Sequence, residues 1–170
     1  MIDDAVFPQM QGGPLPHAIA AKAVCFHEAA QPEFTDYQRA TLKNASVLAG
    51  ELQRLGLRLV SGGTDNHLVL VDLTEKGVTG IQAEIALEKA GIVTNRDPIP
   101  FDRRSPRVTS GIRLGTPAAT TRGLGPGEMK RLAELIVRVI DNINDASVTA
   151  GVKEEVCQIG ARFPVPGIDD

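Results

Sequence analysis

Apolar residues recur along this chain with two periods, one near 3.6 and one of 2, and the switches between them mark the elements. Met1 to Pro14 keeps neither period. Its run Phe7-Pro8-Gln9-Met10-Gln11-Gly12-Gly13-Pro14 is rich in turn formers and reads as a loop. From Pro16 to about Ala30 the pattern is helical and apolar on almost every side (Ala18, Ile19, Val24, Cys25, Phe26), so this helix needs cover. A longer helix is predicted from Pro32 to Leu55, with Phe34, Tyr37, Leu48, Leu52 and Leu55 on one side and Gly56 as its stop.

Period 2 then takes over. Leu57 to Ser61 and Asn66 to Leu73 read as strands joined by the turn Gly62-Gly63-Thr64-Asp65, an antiparallel hairpin. Thr79-Gly80-Ile81-Gln82 is a capping box that opens a helix to Ala90, with Ile81, Ile85 and Leu87 to Ala90 turned to the sheet. Ile92 to Asn95 reads as a short strand, and Arg96 to Asp102 as a loop that Pro98 and Pro100 hold open. It leads to a strand around Arg113 that Thr116-Pro117 ends, followed by a turn at Thr120 to Gly123. Pro126 to about Asn142 is a strongly amphipathic helix, and a last one runs from about Val148 to Ala161. The fold class is α+β: an antiparallel sheet of about three strands with helices packed on it.

Within the strand from Val108 to Ala118, alternation puts Ile112 and Leu114 on one face and Arg113 on the other, with Gly111 and Gly115 at the ends. A guanidinium held on a strand suits two-point capture of a carboxylate or phosphate. The same pattern also describes an arginine on a solvated sheet face. Gly12-Gly13, ahead of a helix whose first turn carries Pro14 and Pro16, is either a plain turn or an anion site made from free backbone N–H groups. His67 reads as a histidine bonded to turn backbone, because no Ser or Cys partner lies near it in sequence.

Composition narrows the classes. With 170 residues, 23% charged, and a net charge of −3, the chain has neither a basic stripe for nucleic acid nor a membrane-binding charge pattern. It has no Trp and one Tyr, which leaves little surface for stacking bases. No apolar run approaches the ~20 residues of a membrane span. These features point to a cytoplasmic protein. Cys25 and Cys157 lack CxxC spacing, read as buried apolar fillers, and support no metal site.

Four motifs together resemble one family, the pyridoxal-phosphate-dependent serine hydroxymethyltransferases. They are Gln11-Gly12-Gly13-Pro14 with His17 and Ala20-Ala21-Lys22-Ala23, Ser61-Gly62-Gly63-Thr64-Asp65-Asn66-His67, Val108 to Ala118, and Thr121-Arg122-Gly123. The resemblance runs nearly end to end, but only over the family's C-terminal part. It implies the small C-terminal domain of a fold-type-I transferase at 57–170, connecting helices at 15–56, and at 1–14 a cofactor-loop segment that belongs with the large domain. It also implies that Arg113 holds the substrate carboxylate and that Gly12 and Gly13 form the loop reaching a cofactor phosphate. The implied reaction converts serine and tetrahydrofolate to glycine and methylenetetrahydrofolate. The implied partners are an N-terminal pyridoxal-binding chain or a homologous subunit, in an oligomer.

Two positions depart from the family pattern. Gln9 stands where a glycine is usual, and Asp97 stands where an asparagine contacts folate, an acceptor without the amide's two donors. None of the six lysines, Lys22, Lys43, Lys76, Lys89, Lys130 and Lys153, sits in the family's cofactor-lysine context. The chain is therefore expected to hold no catalytic residue and to bind no pyridoxal phosphate alone. It is either a portion needing an N-terminal partner, a non-catalytic binder of an anion or carboxylate through Arg113, or a remnant without activity. Purified alone, it should show no absorbance band of lysine-bound pyridoxal and no cleavage of serine; a reducible, lysine-linked cofactor with turnover would overturn this.

Overall fold

The computed structural model describes residues 1–168. Its chain divides into two compact units, Met1–Asp36 and Tyr37–Asp170. In the first, α1 (Ile2–Asp4) runs into a wide helical turn over Ala5–Met10, broken at Phe7, so the stretch expected to be a loop is largely coiled. A non-helical stretch with a bend at Gly13 follows and α2 (Pro16–Ala29) begins at Pro16, which leaves Pro14 outside the helix. No residue of α2 is buried, and Ile19, Val24 and Phe26 are all well exposed.

The second unit begins at Tyr37 within α3 (Pro32–Arg54), which buries Thr41, Asn44, Ala45, Leu48, Ala49 and Leu52 along one stripe. Strands β1 (Arg58–Leu59) and β2 (Leu68–Asp72) form the expected antiparallel hairpin. Pairing starts later in β2 than alternation suggests, because the Asn66 side chain accepts the Leu68 N–H at 2.8 Å. Helix α4 (Gly80–Lys89) carries the predicted capping box: Gln82 N–H donates to Thr79 Oγ1 at 3.2 Å and Thr79 N–H to Gln82 Oε1 at 2.9 Å. It turns Ala83, Ala86, Leu87 and Ala90 inward, and this phase swings Ile85 out to solvent, contrary to expectation.

After α4 the strand lies later than the apolar run implies. β3 is Asn95–Asp97, not Ile92 to Asn95, because its partner β4 (Gly111–Gly115) pairs with those polar residues. The sheet is antiparallel throughout, ordered β1-β2-β4-β3, and so has four strands rather than about three. A short α5 (Pro117–Thr121) fills what reads in sequence as strand end and turn. Helix α6 (Pro126–Asp141) starts where Glu128 reaches back to the Gly125 N–H at 3.0 Å. It buries Met129, Ala133, Leu135, Ile136, Val137, Val139 and Ile140. Burying one such large side chain is worth about 1.5–3 kcal/mol, far above the few tenths that its β-branched residues cost in helix propensity. Helix α7 (Ala146–Arg162) begins before the predicted Val148, since Asp145 accepts the N–H groups of Ser147 and Val148.

Val69, Val71, Ile112 and Leu114 face these helices and are fully or almost fully buried. Both cysteines are exposed instead of buried: Cys25 lies on the uncovered α2 and Cys157 on the outer side of α7.

Gly111 is where the sheet tolerates least. A Cβ there would lie 2.8 Å from the Val71 carbonyl oxygen and 2.9 Å from both the Asp97 carbonyl oxygen and Ile99 Cγ2. Two of these atoms are backbone of neighbouring strands and cannot move alone. Gly111→Ala should therefore lower unfolding free energy by about 1–3 kcal/mol in urea titration. Gly127→Ala, in open space at the start of α6, should be neutral or stabilising by up to about 1 kcal/mol. Equal effects at the two positions would contradict the packing described.

Candidate functional site

Because β4 is paired on both sides, residues of even and odd number face opposite ways with no freedom to slip. Ile112 and Leu114 enter the core, and Arg113 stands on the other face, opposite Leu70 on one side and Asn95 on the other. Beside it the chain between the hairpin strands makes a tight reversal. Ser61 (φ 60°) and Gly62 (φ 70°) lie in the left-handed region and Gly63 has φ 154°. At Ser61 this conformation is uncommon for a residue with a Cβ. The loop is held by polar side chains: Thr64 Oγ1 donates to the Leu68 carbonyl at 2.6 Å, and Gln53 Nε2, from α3, to the Gly62 carbonyl at 3.1 Å.

These pieces enclose a cleft of about 350 Å³ whose polar lining is Ser61, Thr64, Asp65, Asn66, Asp97 and Arg113. Two motifs far apart in sequence thus meet around one guanidinium. Asp97, one diagonal step away on β3, places Oδ2 3.3 Å from Arg113 Nη1. That is longer than a well-formed charge-assisted hydrogen bond of about 2.7–2.9 Å. The Arg113 side chain is 46% exposed and that of Asp97 28%. The arginine is therefore paired but reachable from the cleft.

The structure brings Asp97 to Arg113, which the sequence left as separate residues. Gly12 and Gly13 lie in the first unit, exposed, in the non-helical stretch before α2, with a bend at Gly13. His67 is exposed, and its backbone carbonyl, rather than its ring, is what is bonded, accepting the Thr116 N–H at 3.2 Å. Arg122, from the Thr-Arg-Gly motif, donates to the carbonyls of Phe163 (2.7 Å) and Gly160 (3.0 Å) and ties down the end of α7. Among the described residues no group of three or more His, Cys, Asp or Glu is placed to hold a metal ion, and no helix is long and apolar enough to cross a membrane.

Sequence reasoning missed Asp102. Its carboxylate accepts from Ser110 Oγ (2.7 Å), Ser110 N–H (2.8 Å), Arg104 N–H (2.9 Å) and Ile99 N–H (3.3 Å), drawing the loop between β3 and β4 onto the start of β4. The only local signal was an Asp following two prolines, a common turn arrangement. The Ser110 hydroxyl above all, with the three N–H groups, lowers the Asp102 pKa to about 2, against a smaller opposing effect of desolvation.

A family model described as serine hydroxymethyltransferase matches residues 1–136. A serine hydroxymethyltransferase of Dehalococcoides mccartyi strain CBDB1 is 56% identical over 169 residues, covering 99% of this chain and 41% of that relative. Its counterpart from strain ATCC BAA-2266 / KCTC 15142 / 195 is 54% identical over the same share of both chains. The chain thus spans about two fifths of the length of the curated relatives that it matches.

The Asp102 clamp has a sign that can be measured. A carboxylate whose folded pKa lies below its usual 3.8 contributes stability above that value, and loses it as pH falls from about 4 to about 2. Wild-type protein should lose thermal stability across that window more steeply than Asp102→Asn, with faster amide exchange at Ser110 and Arg104. Parallel pH profiles for the two proteins would show that the carboxylate does not hold the loop.

Proposed function

The chain belongs to the serine hydroxymethyltransferase family, and from that premise we propose that it supplies the substrate-carboxylate grip of a hydroxymethyltransferase. The implied reaction converts serine and tetrahydrofolate to glycine and methylenetetrahydrofolate. The observation that carries the reading is Arg113, fixed on an inner strand and facing a cleft whose lining includes Ser61, Thr64 and Asn66. Its fork would hold the amino-acid carboxylate and set the orientation of the carbon that reacts.

Pyridoxal phosphate, the family's cofactor, does not fit the residues that line this cleft. They include no amine to hold its aldehyde and no aromatic ring to stack on it. Cofactor-holding residues are therefore proposed to come from a separate stretch of polypeptide N-terminal in type to this one. The exposed apolar surface of α2 supports such assembly, since a helix with Ile19, Val24 and Phe26 in water gains from being covered. Gly12 and Gly13 are proposed to serve there as the phosphate-facing loop, and Asp97 to weaken folate contact. A second reading, a non-catalytic carboxylate binder, draws on the same arginine and on a cleft without amine, thiol or imidazole.

The test mixes this chain with a separately expressed N-terminal portion of a relative and follows serine-to-glycine exchange. Activity should appear, and Arg113→Lys should lower serine kcat/KM by about 1.5–3 kcal/mol, roughly ten- to a hundred-and-fifty-fold, with assembly unchanged. Demonstrable assembly without exchange would remove the enzyme reading and leave the binder.

A further inference from the structure

On the core side of β4, behind Leu114 and away from Arg113, lies a second cleft of about 270 Å³ between α5, α6 and α7. Its floor is Leu114, Met129, Ile136 and Ile159, all buried, while Val93 in the same lining is 87% exposed. The cleft therefore reaches from solvent into the core. Two polar side chains line it, Thr116 and Arg122. Thr116 is already committed, since its hydroxyl donates to the Thr41 carbonyl at 3.0 Å. Arg122 is committed only in part. Its Nε and Nη2 donate to the carbonyls of Phe163 and Gly160, and among the described residues no carboxylate pairs with it. Two neutral acceptors fix the plane of the guanidinium without cancelling its charge, and they leave the Nη1 donors over.

We propose that this cleft binds a compact apolar monocarboxylate, with its hydrocarbon part on Met129, Ile159 and Leu114 and its carboxylate on Arg122 Nη1. Size sets the body of the ligand: an apolar cavity of about 150 Å³ accepts benzene, so this larger one admits a chain of about six carbons. Charge sets its head. The lining holds one cation and no carboxylate, so a dianion lacks a second partner and an ammonium has no acceptor side chain. The proposal goes beyond the carboxylate grip of Arg113 and needs neither that residue nor an N-terminal partner, because the two clefts open on opposite faces of β4.

The test uses the full chain, methyl-labelled, titrated with sodium hexanoate, butanoate, hexanol or hexylamine at constant ionic strength. Saturable shifts are expected at the Met129 and Ile159 methyls, and not at Ile19 and Val24 on the exposed α2. Hexanoate should bind about tenfold or more tightly than butanoate, at three- to fourfold per buried methylene, and about tenfold more tightly than hexylamine. Arg122→Gln should weaken hexanoate about tenfold and leave hexanol unchanged. Ala119→Phe, which fills the cleft from its α5 wall with Arg122 in place, should remove both. Where either variant fails to fold, the comparison of the four ligands on wild-type protein still decides. Shifts confined to α2, equal affinity for hexanoate and hexylamine, or unaltered hexanoate binding in folded Ala119→Phe would each overturn the proposal. Expulsion of hexanoate on assembly with the N-terminal portion of a relative would also overturn it, by showing the cleft to be a seat for polypeptide.

Discussion

The double pairing of β4 is the constraint on which the rest of the second unit depends. A strand bonded on both edges cannot rotate or slip, so its period of two becomes a fixed division of labour between faces. Ile112 and Leu114 are committed to the core with Val69 and Val71, and that burial pins the guanidinium between them on the opposite side. The positioning of Arg113 is therefore a by-product of core packing. It needs no hydrogen bond of its own to stay on that face.

Loops near the site are held by side-chain oxygens rather than by apolar contact. Thr64 and Asn66 close the reversal after β1, and Asp102 anchors the long connection from β3 to β4. Both arrangements rest on hydrogen bonds to side-chain oxygens, exposed at Thr64 and part-buried at Asp102. The core sets where the strands lie, and these local polar contacts set the outline of the cleft.

Much of this was legible in the residues. The order of elements, the hairpin, the capping box at Thr79 and the buried stripe of α6 follow from periodicity and cap chemistry, which are local. What escaped was non-local. β3 is polar, and only its partner makes it a strand, so the apolar run ahead of it drew the prediction to Ile92. Ile85 looks like a core residue by type, but the small side chains Ala83 and Ala86 set the helix phase that turns it outward. Cys25 and Cys157 illustrate the same limit, since a preference for burial is not a location. The site was half legible: Arg113 stood out as a fork on a strand, whereas its pairing with Asp97 depends on a diagonal across a register that no single segment encodes.

The sheet also ends abruptly. Its outer strands, Arg58–Leu59 and Asn95–Asp97, are two and three residues long, and each carries an arginine. A growing fibril needs a rim of unsatisfied amides long enough for another strand to zip along, and rims this short and this charged give it almost no purchase. The outside of α2, with Ile19, Val24 and Phe26 in water, offers a different kind of contact, made by side chains alone. Such apolar contact has no preferred direction, so it offers an arriving copy no row of amides to extend.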